Sequence, residues 1–188
     1  MIRKLVVLIF VAVLCLSSCG NKNAVTSFTE NTDDGLTIEE IWEIKDQYDF
    51  VYEMDMYLAG KCNYGDEIQK LNGSQRIVYL IGELEAEVNN GGFWQYFYNS
   101  SGNFANEIIP ALKKINAVNT AEICKNAMVV FDTPVLTDRE ERMDYIDENI
   151  RVISEIFDEC DTEFFKYEDD LALLRYDFII KNKDDFRK

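Results

Sequence analysis

The chain has 188 residues, 35 acidic against 19 basic, and no histidine. A formal charge of −16 repels nucleic acid and anionic lipid headgroups and favours cations, basic proteins and basic peptides. The missing histidine removes the commonest general base and metal ligand at neutral pH, and no nucleophile elbow, Ser-x-x-Lys pair, phosphate loop or dinucleotide fingerprint appears. The expectation is a protein that is not an enzyme and has no cofactor and no metal site.

Arg3 and Lys4 precede an apolar stretch from Leu5 to Leu14, followed by Leu16-Ser17-Ser18-Cys19. A basic start, a short apolar run and small residues before a cut make a secretory signal, too short for a membrane span. Leu-Ser-Ser-Cys resembles the lipobox of bacterial lipoproteins. The resemblance implies a signal peptide over 1–18, a lipid-bearing Cys19, and a protein anchored to a membrane of the bacterial cell envelope outside the cytoplasm. Several acyl chains on one cysteine exceed the two-signal threshold for stable anchoring. Polar residues from Gly20 to Gly35 make 19–35 a flexible tether, and 36–188 reads as one folded domain. Loss of the signal removes Arg3 and Lys4 and no acid, so the balance becomes 17 − 35 = −18. Cys62, Cys124 and Cys160 remain in the domain. Their odd number leaves at least one thiol free, and the spacing leaves any pairing open.

Thr37-Ile38-Glu39-Glu40 is a capping box, and Ile41, Ile44, Tyr48, Val51 and Leu58 continue with helical spacing to about Gly60. Ser74 opens a second helix with Ile77, Leu80, Ile81, Leu84 and Val88 on one stripe, stopped by Asn89-Asn90-Gly91-Gly92. A third runs from about Ala105 to Asn116, with Pro110 in or near its first turns. Ala121, Cys124, Ala127, Met128 and Phe131 stripe a fourth, of which Ala127 to Phe131 is the one stretch that also reads as strand. Thr137-Asp138-Arg139-Glu140 opens a fifth, whose Met143, Ile146, Ile150, Ile153 and Phe157 form a seam against another helix. The last, from about Glu168 to Asn182, turns Leu171, Leu174 and Phe178 inward. The fold class predicted is all-α: a single compact multi-helix domain after the lipoprotein signal and tether.

Asn89 to Gly102 reads Asn-Asn-Gly-Gly-Phe-Trp-Gln-Tyr-Phe-Tyr-Asn-Ser-Ser-Gly, the least ordinary stretch of the chain. With Glu85, Ala111-Leu112, Ile115-Asn116-Ala117 and the segment Asp138 to Arg142, it resembles the DNA-mimic protein 19-like family, a bacterial family of unknown function. The motif positions are Glu85, Asn89, Asn90, Gly91, Gly92, Phe93, Gln95, Tyr96, Phe97, Asn99, Ser100 and Gly102. Asn116 departs from the pattern, standing where a glycine is usual. The resemblance covers about Leu36 to Asn182 and implies an all-helical fold, a homodimer, and, for the member described, an acidic surface that occupies the DNA-binding face of a transcription factor.

From the residues alone, the two glycines reverse the chain, and Phe93, Trp94, Tyr96 and Phe97 plug the core. Asn89, Asn99, Ser100 and Ser101 then satisfy freed backbone groups. A functional version instead places Trp94, Tyr96 or Tyr98 on the surface as stacking platforms, with Asn90 and Gln95 as hydrogen-bond partners. The candidate acidic interface is Asp138, Glu141, Asp144, Glu148, Glu155 and Asp158. From Asp138 to Glu163 eleven acids face three arginines. As one helix of about 39 Å this is roughly one net charge per 5 Å, sparser than the one per 3.4 Å or so of a single DNA strand. The leading reading is therefore a membrane-tethered acidic module that binds a basic protein or peptide and not nucleic acid. The alternative is a saccharide-binding or saccharide-processing envelope lipoprotein that uses the aromatic block and the carboxylate pair Glu83 and Glu87.

Overall fold

Thr37 opens the first helix as its sequence predicts: its hydroxyl accepts the Glu40 N–H at 3.3 Å while the Glu40 carboxylate accepts the Thr37 N–H at 2.9 Å. The structure, a computed structural model, describes residues 35–131 and 134–187. The signal segment 1–18, the lipidation position Cys19 and the tether as far as residue 34 lie outside them. Among the described residues there are eight α-helices and no strand: α1 (Ile38–Ile41), α2 (Gln47–Lys61), α3 (Gly73–Tyr98), α4 (Ala105–Lys114), α5 (Val118–Met128), α6 (Arg139–Glu148), α7 (Ile150–Phe164) and α8 (Leu171–Lys181). The all-α reading holds, and Ala127 to Phe131 is the end of a helix and the turn after it.

Five helix boundaries differ from expectation, mostly because a short polar side chain captures backbone donors. The predicted first helix is two, since Asp46 accepts the N–H groups of Tyr48 and Asp49 and starts α2 afresh. Tyr48 is consequently exposed rather than inward. α3 is capped by Asn72, which exchanges hydrogen bonds with Gln75, while Ser74 donates to Asp185 at 2.6 Å. Asp138, not Thr137, caps α6 by accepting the Glu141 N–H. The fifth predicted helix breaks at Asn149 (φ −110°, ψ 17°), whose side-chain amide donates to the Tyr145 carbonyl. That break turns Ile150 out of the seam to 50 % exposure, while Ile146 and Ile153 stay buried. α8 begins at Leu171 behind its cap Asp170, and Asp169 caps α5 instead by accepting the Thr120 N–H at 2.7 Å. Asn116, where the family favours glycine, sits at φ 64° in the left-handed region that glycine takes freely and asparagine tolerates best among the others.

α3 is the axis of the domain and packs against α2, α4, α6, α7 and α8. Around its second half the core is aromatic: Phe97 stacks on Phe157 at 5.3 Å and meets Phe131 at 5.0 Å, and Phe93 meets Phe164 edge-on at 5.9 Å. Cys62, Cys124 and Cys160 are buried and free. Two arginines are interior as well. Arg175 lies between Leu171 and Ile179 on the buried stripe of α8, and Leu174 and Phe178 are only half-buried. Its guanidinium pairs with Asp55 of α2 at 2.5 Å and with Glu85 of α3. Burial pushes the Asp55 carboxyl up to about 6 against the pull of Arg175, and pushes Glu85 up too.

Two carboxyls on one buried guanidinium make Arg175 the group whose loss is hardest to absorb. Arg175→Met is expected to cost about 3–5 kcal/mol at neutral pH. Without Arg175 the Asp55 carboxyl titrates above its native value, so urea denaturation should show the cost shrinking as the pH falls toward about 6 and levelling off below it, because protonated carboxyls need no counter-ion.

Candidate functional site

The motif block lies where α3 is interrupted. Gly91 (φ −159°, ψ 27°) and Gly92 (φ 72°, ψ −175°) leave helical conformation, and the helix resumes at Phe93 and runs to Tyr98. The glycines therefore kink one long helix rather than ending it. Only Gly92 needs to be glycine on conformational grounds, and a Cβ there would also collide with the Asp161 carboxylate. Asp161, from α7, accepts the Phe93 N–H at 2.7 Å and so caps the resumed segment from across the interface. Burial pushes its carboxyl up.

The polar motif residues converge on one carboxylate. Glu87, a turn before the kink, accepts from Gln95 at 2.6 Å, from Asn99 at 2.9 Å and from the Ser101 hydroxyl at 3.1 Å. Asn90 donates to the other end of Gln95 at 2.9 Å, and Asn89 donates to the Tyr167 hydroxyl. The expected task of capping freed backbone groups thus falls to Asp161, while Asn89, Asn99 and Ser101 serve side chains; Ser100 is exposed at the start of a 3-10 turn, Ser100–Phe104. Arg142 of α6 completes the frame. Fully buried, it donates to the carbonyls of Phe97 at 2.5 Å, Leu136 at 2.7 Å and Asn99 at 2.9 Å, and to Asn103 Oδ1 at 2.8 Å. Gly102 permits this approach, since a Cβ would stand 2.8 Å from Arg142 Nε and 2.9 Å from the Phe97 carbonyl.

The aromatic side chains divide between interior and margin. Phe93, Tyr96 and Phe97 are buried, so Tyr96 is no stacking platform. Trp94 is half-buried, stacked on Tyr98 at 6.0 Å with its edge toward Phe157. Glu85 is spent on Arg175. Of the carboxylate pair, Glu87 is held by three side-chain donors. Glu83 lines a cleft beside Tyr79 and Ser101. Burial first, and then the charge of Glu87, push the Glu83 carboxyl up to about 7, against a hydrogen bond from Ser101.

The six predicted interface acids are all exposed: Asp138, Glu141, Asp144 and Glu148 belong to α6 and its cap, Glu155 and Asp158 to α7. The break at Asn149 divides them between two helices, so the single continuous row does not form. None of the six is in an ion pair among the described residues. Of the three arginines in this span, Arg142 is buried and Arg139 donates to the Tyr98 carbonyl at 3.1 Å.

Sequence reading missed Asp55, Arg142, Asp161 and Arg175. A signal existed for the arginines: each lies four residues from an apolar residue of a buried stripe, Arg142 before Ile146 and Arg175 between Leu171 and Ile179. A charge in that register must have partners inside. The same mark was there for Asp55, between Val51 and Ala59, and for Asp161, four residues after Phe157, but acids are common on these helices and it was passed over.

A family model described as DMP19-like protein matches residues 69–182, from just before α3 through the end of α8. No curated protein and no solved structure matches the chain.

Glu83 gives the site a pH signature. Its folded carboxyl holds a proton more tightly than the unfolded chain does. The stability it contributes is complete below about 4.5 and is lost as the pH rises through about 7. Thermal melts across that range should show the native chain declining and Glu83→Gln flatter by about 3 kcal/mol.

Proposed function

The chain belongs to the DMP19-like protein family, and from that footing we propose that it is a binding module whose acidic α6–α7 face takes a basic protein or peptide, held at an envelope membrane by lipid on Cys19. The observation that carries the reading is the fate of the charges: α6 with its cap Asp138, and α7, present six exposed carboxylates without ion-pair partners among the described residues, while Arg142 points inward. An unneutralised acidic surface mainly speeds encounter with basic partners and rejects acidic ones, including nucleic acid. The tethered part of the proposal rests on the sequence from Arg3 to Cys19. No helix among the described residues is long and apolar enough to cross a membrane. The rest of the motif is spent holding the kink and thereby the position of α6.

Fluorescence anisotropy of a labelled oligolysine with the full-length chain in detergent should show affinity falling about tenfold or more between roughly 50 and 300 mM salt. Reversing Asp144, Glu148, Glu155 and Asp158 to lysine should lower it by a similar factor without shifting the melting temperature by more than about 4 °C. Unchanged affinity in that variant would move the interface elsewhere.

Cys19→Ser should abolish incorporation of a labelled fatty acid and shift the protein out of the membrane fraction. Membrane fractionation identical to the native chain would contradict the anchor.

A further inference from the structure

A cleft of about 320 Å³ opens between three segments: the turn after α2, α3, and the 3-10 turn Ser100–Phe104. Its size is that of a small-ligand site. Glu83 and Asp66 line it, and no lysine or arginine does. Arg76, the base nearest in sequence to its α3 wall, is held by Glu107 at 2.6 and 2.7 Å and lies over the Phe104 ring.

Glu83 is short of a partner there. The Ser101 hydroxyl has one proton to donate, and it faces both Glu83 at 3.3 Å and Glu87 at 3.1 Å. One donor cannot serve two carboxylates. An ionised Glu83 in this partly buried position therefore lacks the compensation that a buried charge requires. The cleft also has rings against which an aliphatic cation can lie. Tyr79 forms part of its wall, and Tyr64, 69 % exposed, stands at the rim on left-handed backbone (φ 52°) fixed by its N–H to the Ala59 carbonyl at 2.8 Å.

We propose that this cleft binds a primary ammonium group on an aliphatic chain, with Glu83 as its counter-ion, Asp66 as a second carboxylate and the rings of Tyr64 and Tyr79 against its methylenes. The ammonium supplies the donors that Ser101 cannot. No group of three or more ligating side chains that could hold a metal ion occurs among the described residues, so the pair suits an organic cation better than a metal. The site shares no residue with the α6–α7 face. Binding depends on an ionised Glu83. The charged groups that raise its carboxyl are Glu87 of α3 and Asp55 of α2, with the Ser101 hydroxyl opposing them; Asp66 lines the same cleft, and Tyr79 and Cys62 nearby are neutral. Glu87 and Asp55 thus favour the proton that an incoming ammonium must displace.

Isothermal titration of the full-length chain with 1,5-diaminopentane should show saturable binding about tenfold tighter near pH 8 than near pH 6, with proton release at the lower pH. The binding should be lost in Glu83→Gln and weakened several-fold in Tyr64→Ala, an exposed position, with both variants retaining the native circular dichroism. A blocked peptide with a single lysine separates the sources: binding of the diamine alone points to free amines, and binding of both points to a lysine side chain. Saturation by neither amine overturns the proposal, as does equal binding of 1-pentanol or native affinity in both variants.

Discussion

A helix interrupted in its middle exposes backbone groups that its own turns no longer satisfy, and the rest of this fold is arranged around that constraint at Gly91 and Gly92. Asp161 takes the Phe93 N–H, Glu87 gathers the side chains of Gln95, Asn99 and Ser101, and Arg142 takes the carbonyls of Phe97 and Asn99 where the helix ends. Through these three charged residues α3 is fixed to α7, to the 3-10 turn and to α6. The kink also sets the angle at which Phe93 and Phe97 enter the core against Phe157 and Phe164. A motif that reads as a site in sequence is thus largely a joint. Its wider consequence is indirect: it fixes where the outward acids of α6 stand.

Interior use of basic side chains also shapes the exterior. Arg142 and Arg175 are both buried, and each is occupied by carbonyls or carboxylates of the protein itself. Arg175 takes two acids inside with it, Asp55 and Glu85, whereas Arg142 is held without a carboxylate, so its burial leaves the face of α6 more negative than its residue count suggests. The exposed carboxylates of α6 lose one neighbour that would have screened them.

Much of the architecture was legible in the sequence because it rests on periodicity. The stripes of α3, α5 and α7, the Thr37 capping box and the absence of hairpin signals all led to an all-α domain. Boundaries were less legible, and for one reason. Asp46, Asn72, Asp138 and Asp170 decide them by short hydrogen bonds that compete with an apolar rhythm continuing across the break, as at Ile44 and Ile150. The motif residues were found, but their roles were not, since those depend on Asp161 and Arg142, some 43 to 68 positions away along the chain. Asn116 was the reverse case, a departure from the family pattern that the backbone explains at once.

The three interior thiols carry a consequence for biosynthesis. Cys62, Cys124 and Cys160 are free, and burial holds each above the ordinary thiol range, up to about 11 for Cys160, so few thiolates exist to react. The domain therefore matures without an oxidant and tolerates one.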